Sequence, residues 1–389
     1  MIPRGRPDIS YSEIFKGLRL CAVDSQSRST CMHELGNGTL ACLSVRTGFD
    51  LVLAALNFAP GTEILVTDIN IPDMFSIISA HGLTAVPVSV NKESLHLSLD
   101  RIRAVMTPLT RAILITHLFG ARMDTDEVVA LAKEMKWVVI EDCAQAFTGN
   151  TFRGNPLSDV VMFSFGLIKT HTTASGALLK INDAGLHAKV IELNEKLPRQ
   201  TKRIFIKKLF KLGLMRFLTS RVPFTFFYKI VELAGYDPDH VLSSFTRGFQ
   251  SKQMLEGIRH RPCLANLRFI EHRLRTFDPQ MIEARKKKAQ LVLEGIPAVM
   301  RIGAANFNHS HWVLPVETSK SDGLVRHLRK NGFDATKKAS SLVRIGAPEG
   351  EDSDLTLDNL VYLPFCPSLN ERECQQLRDL IVQFTVTKR

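Results

Sequence analysis

The sequence predicts an α/β fold with a mostly parallel β-sheet, followed by a smaller α+β domain. Between residues 49 and 181, apolar runs of strand length alternate with helical patterns. After residue 250, a long helical stretch gives way to a few short strand-like and helical patterns. The alternation is typical of right-handed crossovers between parallel strands, with helices on both faces of the sheet. We therefore predict a large domain over residues 1–250 and a small domain over residues 251–389.

The predicted elements follow one another in chain order. TEILVTDI reads as a strand before the helix PDMFSIISAH, TAVPVSV as a strand before a helix after Ser98, and RAILITH as a strand before a helix near Asp124. Asp124 and Glu127 have the spacing of a capping box, and apolar residues repeat at helical intervals behind them. WVVIED, VVMFSF and GALLKI complete the strands of the large domain. The small domain is predicted to contain a helical stretch from about Ser251 to Leu293, the strands HWVLPV and VYLPF, the helix SDGLVRHLRKNGF and a final helix.

The composition is that of an ordinary globular protein, with 45% hydrophobic and 23% charged residues among 389. Its seven cysteines form no CxxC pair, which argues against a disulfide framework or a zinc ribbon, and we predict no metal site. The N-terminus lacks the apolar core of a signal peptide. We expect a cytoplasmic protein in a reducing compartment.

The net charge of +11 comes almost entirely from one segment. Residues 196–229 contain ten Lys and Arg residues and no Asp or Glu, so the rest of the chain has a net charge of about +1. This distribution argues against a nucleic-acid-binding protein, because such a protein presents a broad basic face.

Residues 200–228, within a basic insert at about 196–235, are predicted to form an imperfect amphipathic helix. Its apolar side would contain Phe205, Ile206, Leu209, Phe210, Leu212 and Phe217, and Lys207, Lys208 and Lys211 would lie opposite. Such a segment could lie in the interface of an anionic membrane. It could equally be a helical hairpin packed on the sheet or on a partner subunit. No apolar run is long enough to cross a bilayer.

Ligands of an open parallel sheet gather at the carboxyl ends of its strands, where Asp142 and Lys169 are predicted to lie. A partly desolvated lysine is a nucleophile toward carbonyls, and an aspartate can keep a pyridine nitrogen protonated. Together they are the pair that pyridoxal 5'-phosphate (PLP) requires. Ser164 and the turn Thr47-Gly48-Phe49 at the start of a helix could bind the phosphate. Alternatively, Lys169 extends to solvent from a strand end and Asp142 caps a helix.

The motifs EDCAQAFTG (141–149), SFGLIKT (164–170) and HLFGARMD (117–124) resemble those of the DegT/DnrJ/EryC1/StrS family of PLP-dependent aminotransferases. The resemblance implies the aspartate-aminotransferase-like fold (PLP fold type I) and a homodimer with sites at the subunit interface. It implies that Lys169 binds PLP as a Schiff base and transfers protons, and that Asp142 pairs with the pyridinium. It further implies that Gln145 lies beside the phenolic oxygen, that Ala144 packs under the ring, and that Ser164 with Thr47, Gly48 and Phe49 holds the phosphate.

The chain departs from the family at several positions. Thr47-Gly48-Phe49 stands where Ser-Gly-Thr is common, Asp68 to Phe75 offers no clear stacking aromatic residue, and Arg259-His260-Arg261 replaces an Asn-x-Arg region. A basic turn in solvent and a phosphate site across subunits are equally compatible with the last sequence. Trp312 is interpreted as a core residue, and His171 as a loop residue or a cofactor contact.

The resemblance implies an aminotransferase that moves an amino group from an amino acid, by family habit glutamate, to a nucleotide-linked keto sugar. Two alternatives stay open. One is a PLP enzyme that acts on a non-sugar amine, and the other is a catalytically silent, membrane-associated binding or scaffold homologue.

Overall fold

The computed structural model describes residues 1–22, 38–236, 238–239, 241–242, 254–337, 341–346, 355–366 and 368–387. The predicted domain boundary at residue 250 and the predicted helix start at Ser251 lie outside these residues. The boundary therefore stays a prediction.

The central sheet is built by seven strands, and most neighbouring pairs are parallel. In spatial order they are β1 (Thr39–Cys42), β8 (Ala177–Ile181), β7 (Val160–Ser164), β6 (Val138–Asp142), β5 (Thr110–Thr116), β2 (Glu63–Thr67) and β4 (Thr84–Val88). Only β8 runs against both of its neighbours. The predicted strands and the mostly parallel arrangement are confirmed.

Helices cover both faces of this sheet, as the continuous apolar strands require. The helices of the large domain are α1 (Tyr11–Ala22), α2 (Val45–Leu56), α3 (Pro72–Ala80), α4 (Leu99–Val105), α5 (Asp126–Glu134) and α6 (Ala184–Lys196). One apolar cluster joins α2, α3 and α6 to one sheet face, and another joins α4 and α5 to the opposite face. The sheet is therefore the middle of three layers.

Helix α5 begins differently from the predicted capping box. Its N-cap is Thr125, whose side chain makes no capping bond, and the Asp126 N–H donates to Asp124 at 3.2 Å. Asp126 instead accepts a hydrogen bond from the Asn155 amide at 2.7 Å. The start of this helix is thus tied to the loop that follows β6.

The basic insert forms a helical hairpin of α7 (Lys202–Leu218) and α8 (Arg221–Leu233). The prediction of a single apolar side is wrong, because Phe205, Leu209 and Leu212 are buried while Phe210 and Phe217 are exposed on another side. Apolar residues therefore flank this helix on two sides.

The C-terminal part has its own core. It contains α9 (Met254–Ile258), α10 (Leu264–Arg275), α11 (Gln280–Leu293), β9 (Pro315–Glu317), α12 (Ser321–Lys330), β11 (Leu360–Tyr362) and α13 (Glu371–Thr387). β9 and β11 are antiparallel, and α11, α12 and α13 enclose an apolar cluster beside them. The predicted long helix over 251–293 is thus three helices where it is described. Two short strands, β3 (Ile69–Asn70) and β10 (Val343–Arg344), join the two parts of the chain.

The first residues of the chain pack on the C-terminal part. Ile2 pairs with Phe333, and Arg4 forms two side-chain hydrogen bonds with Asp334, at 2.7 and 2.8 Å. Asp239 binds both Arg4 and Arg329, which closes an ion-pair cluster around the fully buried Asp334 side chain. The first residues thus contact the C-terminal part, whereas the predicted large domain begins at residue 1.

We predict that Asp334→Ala lowers the free energy of unfolding by about 3–5 kcal/mol, because it leaves a largely buried guanidinium without its main partner. Urea denaturation followed by circular dichroism measures the change. Asp379→Ala, which removes a largely exposed carboxylate beside Arg378, should cost less than about 1 kcal/mol. Equal losses in the two variants would contradict a special role for Asp334.

Candidate functional site

The candidate site lies at the carboxyl ends of β5, β6 and β7. The register pairs Thr116 with Asp142 and Asp142 with Met162, so Asp142 ends its strand between two neighbours. Ser164 ends β7 two residues beyond Met162. Residues 142 and 164 therefore share one edge of the sheet, as the sequence predicts.

Lys169 is held by the loop that follows β7. Its N–H donates to the Gly166 carbonyl at 3.0 Å, and the loop is closed by the Phe165 N–H bonded to Gly176. The residue is half-buried as a whole, but its amine is densely surrounded by protein. Desolvation lowers the pKa of Lys169 from 10.5 to about 8, although the charge of Asp142 opposes the shift.

Asp142 is buried, with 4% of its surface exposed. Burial raises the pKa of its carboxyl group, while the Ala144 N–H at 3.0 Å and the charge of Lys169 act in the opposite direction. A buried carboxylate of this kind is stabilised by a cation placed against it. The protonated nitrogen of a PLP ring is such a cation, so Asp142 and the nucleophilic Lys169 fit this cofactor.

Gln145 and Ala144 follow Asp142 directly. The Gln145 side-chain oxygen accepts the Phe119 N–H at 2.8 Å, which fixes the amide between the β5 and β6 loops. Ala144 is half-buried and lies against the apolar cluster of α2. Both residues share the loop that begins with Asp142, and their predicted contacts with PLP stay proposals.

Gly166 lies against both Ser164 and Lys169. A Cβ at this glycine would lie 3.7 Å from the Ser164 hydroxyl and 3.9 Å from the Lys169 side chain. Ser164 and Lys169 are thus brought to the same small volume, as expected if one binds the phosphate and the other the aldehyde of a single cofactor.

The predicted phosphate turn lies within the first turns of helix α2. Helix α2 begins at Val45, its N-cap is Ser44, and the N–H groups of Thr47 and Gly48 donate to the Ser44 side chain and carbonyl. The Thr47 hydroxyl donates to the Ile258 carbonyl, and Phe49 is completely buried. These contacts engage the Thr47 and Gly48 N–H groups and the Thr47 hydroxyl within the protein. Phosphate binding by Thr47, Gly48 and Phe49 stays a prediction. A Cβ at Gly48 would approach Leu179 to 2.4 Å, so this glycine serves helix-sheet packing.

Arg46 is a site residue that the sequence reasoning missed. The first turn of α2 presents the N–H groups of Val45 and Arg46, which have no acceptors within the helix. The Arg46 charge acts on both Asp142 and Lys169, lowering the pKa of each. Its guanidinium also pairs with Asp73 at 2.5 Å. A cation at a helix N-terminus is a suitable phosphate site. In the sequence, the only feature that points to Arg46 is its position just after the N-cap of α2.

Trp312 covers Lys169 and is not a core residue as interpreted from the sequence. The Lys169 amine lies 4.0 Å from the centre of the indole ring, and the indole N–H donates to the Ile168 carbonyl at 3.1 Å. The loop that carries Trp312 packs on Gly120, where φ is +98°. A Cβ at Gly120 would lie 2.5 Å from the backbone nitrogen of Trp312. The C-terminal part thereby covers the site.

His171 and Arg259 have partners elsewhere. The His171 ring bonds the Arg273 carbonyl, and the backbone N–H of His171 donates to the Asp8 carboxylate at 2.8 Å. Burial lowers the pKa of His171 to about 4. Arg259 forms an ion pair with Asp50 at 2.9 Å. Both side chains therefore have structural contacts in this chain.

His117, Glu141 and Cys143 lie close enough to hold a metal ion, with their ligand atoms within 4.8 Å of one another. However, one His117 ring nitrogen accepts the Met123 N–H at 2.9 Å and the other donates to Glu141 at 2.9 Å. Burial also raises the pKa of the Cys143 thiol. The contacts of His117 therefore indicate a structural hydrogen-bond network.

The chain has the aspartate-aminotransferase-like fold. Its site places a lysine and an aspartate at the carboxyl edge of the sheet. Solved structures share this fold. A DegT DnrJ EryC1 StrS aminotransferase from Brucella abortus matches with a TM-score of 0.70 and 17% identity, covering 96% of this chain and 95% of that chain. The sugar aminotransferase CalS13 from Micromonospora echinospora matches with a TM-score of 0.69 and 20% identity, covering 98% and 100%.

Part of the chain also matches a family model. Residues 35–214 match the model of the DegT/DnrJ/EryC1/StrS aminotransferase family, so the family predicted from the motifs is confirmed for the segment that carries the site. GDP-perosamine synthase from Caulobacter vibrioides is 36% identical over 159 residues, or 39% of this chain and 41% of that protein. The enzyme of the same name from Escherichia coli O157:H7 is 33% identical over 156 residues, with the same coverage. The aligned part spans about two fifths of these curated relatives. The family consists of PLP-dependent transaminases, in agreement with the predicted enzyme class and cofactor.

We predict that Lys169 reacts with an amine-directed acylating reagent with a midpoint near pH 8, because its neutral amine accumulates above the lowered pKa. Competitive labelling of the PLP-free protein across a pH series, read by mass spectrometry, measures this midpoint. A lysine in an unstructured reference peptide should titrate near its ordinary value of about 10.4. The same midpoint for Lys169 would show that its amine is not desolvated.

We predict that Arg46→Leu weakens PLP binding by about tenfold or more, because a hydrogen bond to a charged group contributes about 1.5–3 kcal/mol. Titration of the PLP-free protein, followed by cofactor absorbance, gives the dissociation constant. Arg111→Leu is the matched control, because Arg111 lies near the amino end of β5, at the opposite edge of the sheet. Equal affinities in the two variants would exclude Arg46 from the phosphate site.

Proposed function

We propose that the chain is a PLP-dependent aminotransferase that moves an amino group from an amino acid to a nucleotide-linked keto sugar. The observation that carries the proposal is that the enclosed Lys169 amine and the buried Asp142 carboxylate follow neighbouring strands to one edge of the sheet, where the charge of each acts on the other. When bound, PLP supplies an aldehyde for the amine and a ring that accepts electrons from the substrate carbon.

The residues of the chain have distinct roles in this proposal. Lys169 binds the cofactor aldehyde and then, once released, moves the proton at the substrate carbon, for which a pKa of about 8 is suitable. Asp142 keeps the ring nitrogen protonated. Ser164 and the start of α2 with Arg46 hold the phosphate, Gln145 lies beside the phenolic oxygen and Ala144 lies under the ring. Trp312 limits the access of water to the Lys169 amine.

A buried cation suited to a substrate anion contacts Thr170, the residue that follows Lys169. Arg285 is buried and donates to the Thr170 hydroxyl at 3.1 Å. Burial lowers the pKa of Arg285, and among the described residues it has no carboxylate within ion-pair distance. Its position supports binding of the donor carboxylate, and glutamate is the donor to test first.

The acceptor is proposed from the relatives. Two curated relatives named GDP-perosamine synthase support a nucleotide-linked sugar, with GDP as the first nucleotide to test. A non-sugar keto compound would use the same Lys169 chemistry and is the second candidate acceptor. The homodimer implied by the resemblance and the cytoplasmic location stay proposals.

A half-reaction screen tests the acceptor. The protein is loaded with pyridoxamine phosphate and offered GDP-linked keto sugars, dTDP-linked keto sugars and simple keto acids, with PLP absorbance as the readout. We expect a nucleotide-linked keto sugar to restore the PLP spectrum. Restoration by a non-sugar keto compound alone would overturn the sugar assignment. Failure to take up any cofactor would favour the silent homologue.

We predict that Asp142→Asn binds PLP but slows this half reaction by at least about 100-fold, because the neutral amide cannot keep the ring nitrogen protonated. Stopped-flow absorbance measures the rate. Asp183→Asn is the matched control, since Asp183 caps α6 and Asn is an equally good cap. An unchanged rate in Asp142→Asn would remove Asp142 from the chemistry.

A further inference from the structure

The hairpin of α7 and α8 is anchored through one face only. Phe205 packs on Phe269 of α10 with ring centres 6.1 Å apart, and Leu209 lies against Gly17 of α1. In α8, Phe224, Tyr228 and Val231 are buried at helical spacing. These contacts account for the inner faces of both helices.

The outer faces are apolar as well. In α7 the exposed apolar residues are Ile204, Phe210, Leu214 and Phe217, and in α8 they are Val222, Phe226, Ile230 and Leu233. The α8 residues recur every three or four positions and are 64–88% exposed, so they form a stripe opposite the buried one. We call these eight residues the hairpin surface. Exposed apolar stripes of this extent mark interaction sites.

The two helices also share an open apolar cleft of about 270 Å³. Leu214, Met215 and Leu218 line it from α7, and Phe224 and Phe227 line it from α8. Side chains of both helices therefore line one cleft. We expect α7 and α8 to enter an apolar phase together.

The charge around this surface selects the partner. Residues 196–229 contain ten Lys and Arg residues and no acidic residue, and Arg203, Lys207 and Lys229 are exposed. Arg221 is paired with Glu373, and Glu232 near the end of α8 is the one acidic residue of the two helices. Pairing with a second copy through this surface would bring two such segments together, and like charges at an interface cost several kcal/mol. The interface of a bilayer with acidic headgroups is both apolar and anionic. It therefore suits the exposed apolar stripes and the exposed cations of the hairpin.

We propose that the hairpin surface docks the protein on an anionic membrane, with α7 and α8 lying in the plane of the interface. Phe210, Phe226 and Ile230 enter the boundary between headgroups and acyl chains, while Arg203, Lys207 and Lys229 contact the anionic headgroups. Among the helices of the described residues, none has the length and apolar character needed to cross a bilayer.

Vesicle flotation of the PLP-loaded protein tests this docking. The probes are phosphatidylcholine vesicles with and without phosphatidylglycerol. We expect binding only to the vesicles that contain phosphatidylglycerol, with a loss as salt is added. Absence of binding to the anionic vesicles at low salt would overturn the proposal.

Two variants separate the apolar and the electrostatic contributions. Phe210→Ser/Phe226→Ser/Ile230→Ser removes the inserted side chains, and Arg203→Glu/Lys207→Glu/Lys229→Glu reverses the charges. Each should lower the partition coefficient more than about tenfold, given the usual contributions of inserted apolar groups and surface cations. The controls are Leu157→Ser, an apolar residue that is 65% exposed in a loop, and Lys287→Glu/Lys330→Glu, exposed cations of α11 and α12. Both controls should bind like the unmodified protein.

Further readouts keep docking separate from folding and from the proposed activity. PLP uptake and circular dichroism should be unchanged in the hairpin variants, because the replaced side chains point to solvent. Sedimentation velocity identifies the competing partner. A protein that fails to bind vesicles and whose dimer dissociates in the apolar variant would have a self-association surface here, which would overturn the proposal.

Discussion

The burial of two opposite charges at one edge of an apolar sheet is the constraint on which the site depends. Asp142 ends a strand whose side chains are buried on both faces, and Lys169 lies in the loop after the neighbouring strand with its amine enclosed by protein. The sheet register sets the separation of their strands, and the helices on both faces keep the register in place. Each of these charges is thus stabilised by the other charge or by a bound group.

The carboxyl-edge positions of this site could be predicted from the sequence because local patterns encode them. VVIED and VVMFS are apolar runs of strand length that end in polar residues, and parallel strands bring such ends together. The start of α2 could not be placed from the sequence, because Ser44 caps the helix ahead of Thr47, Gly48 and Phe49. Arg46 carries no motif of its own. Its role depends on where the helix begins.

Long-range packing explains what the sequence could not predict. Trp312 reaches Lys169 across 143 positions of the chain, and Arg4 finds Asp334 near the opposite end. Neither partner is encoded by spacing or periodicity. The insert was predicted to be helical and basic, but its apolar residues divide between a packed side and an exposed side. A helical projection alone does not distinguish these sides when both are apolar.

The indole over Lys169 gives the chain a built-in optical probe. The sequence contains two tryptophans, and Trp137 is buried against the sheet core at the far end of β6 from Asp142. Fluorescence changes that follow cofactor or substrate are therefore dominated by Trp312. Because this residue belongs to the C-terminal part and the lysine to the large sheet, its emission also reports the contact between the two parts of the chain without any added label.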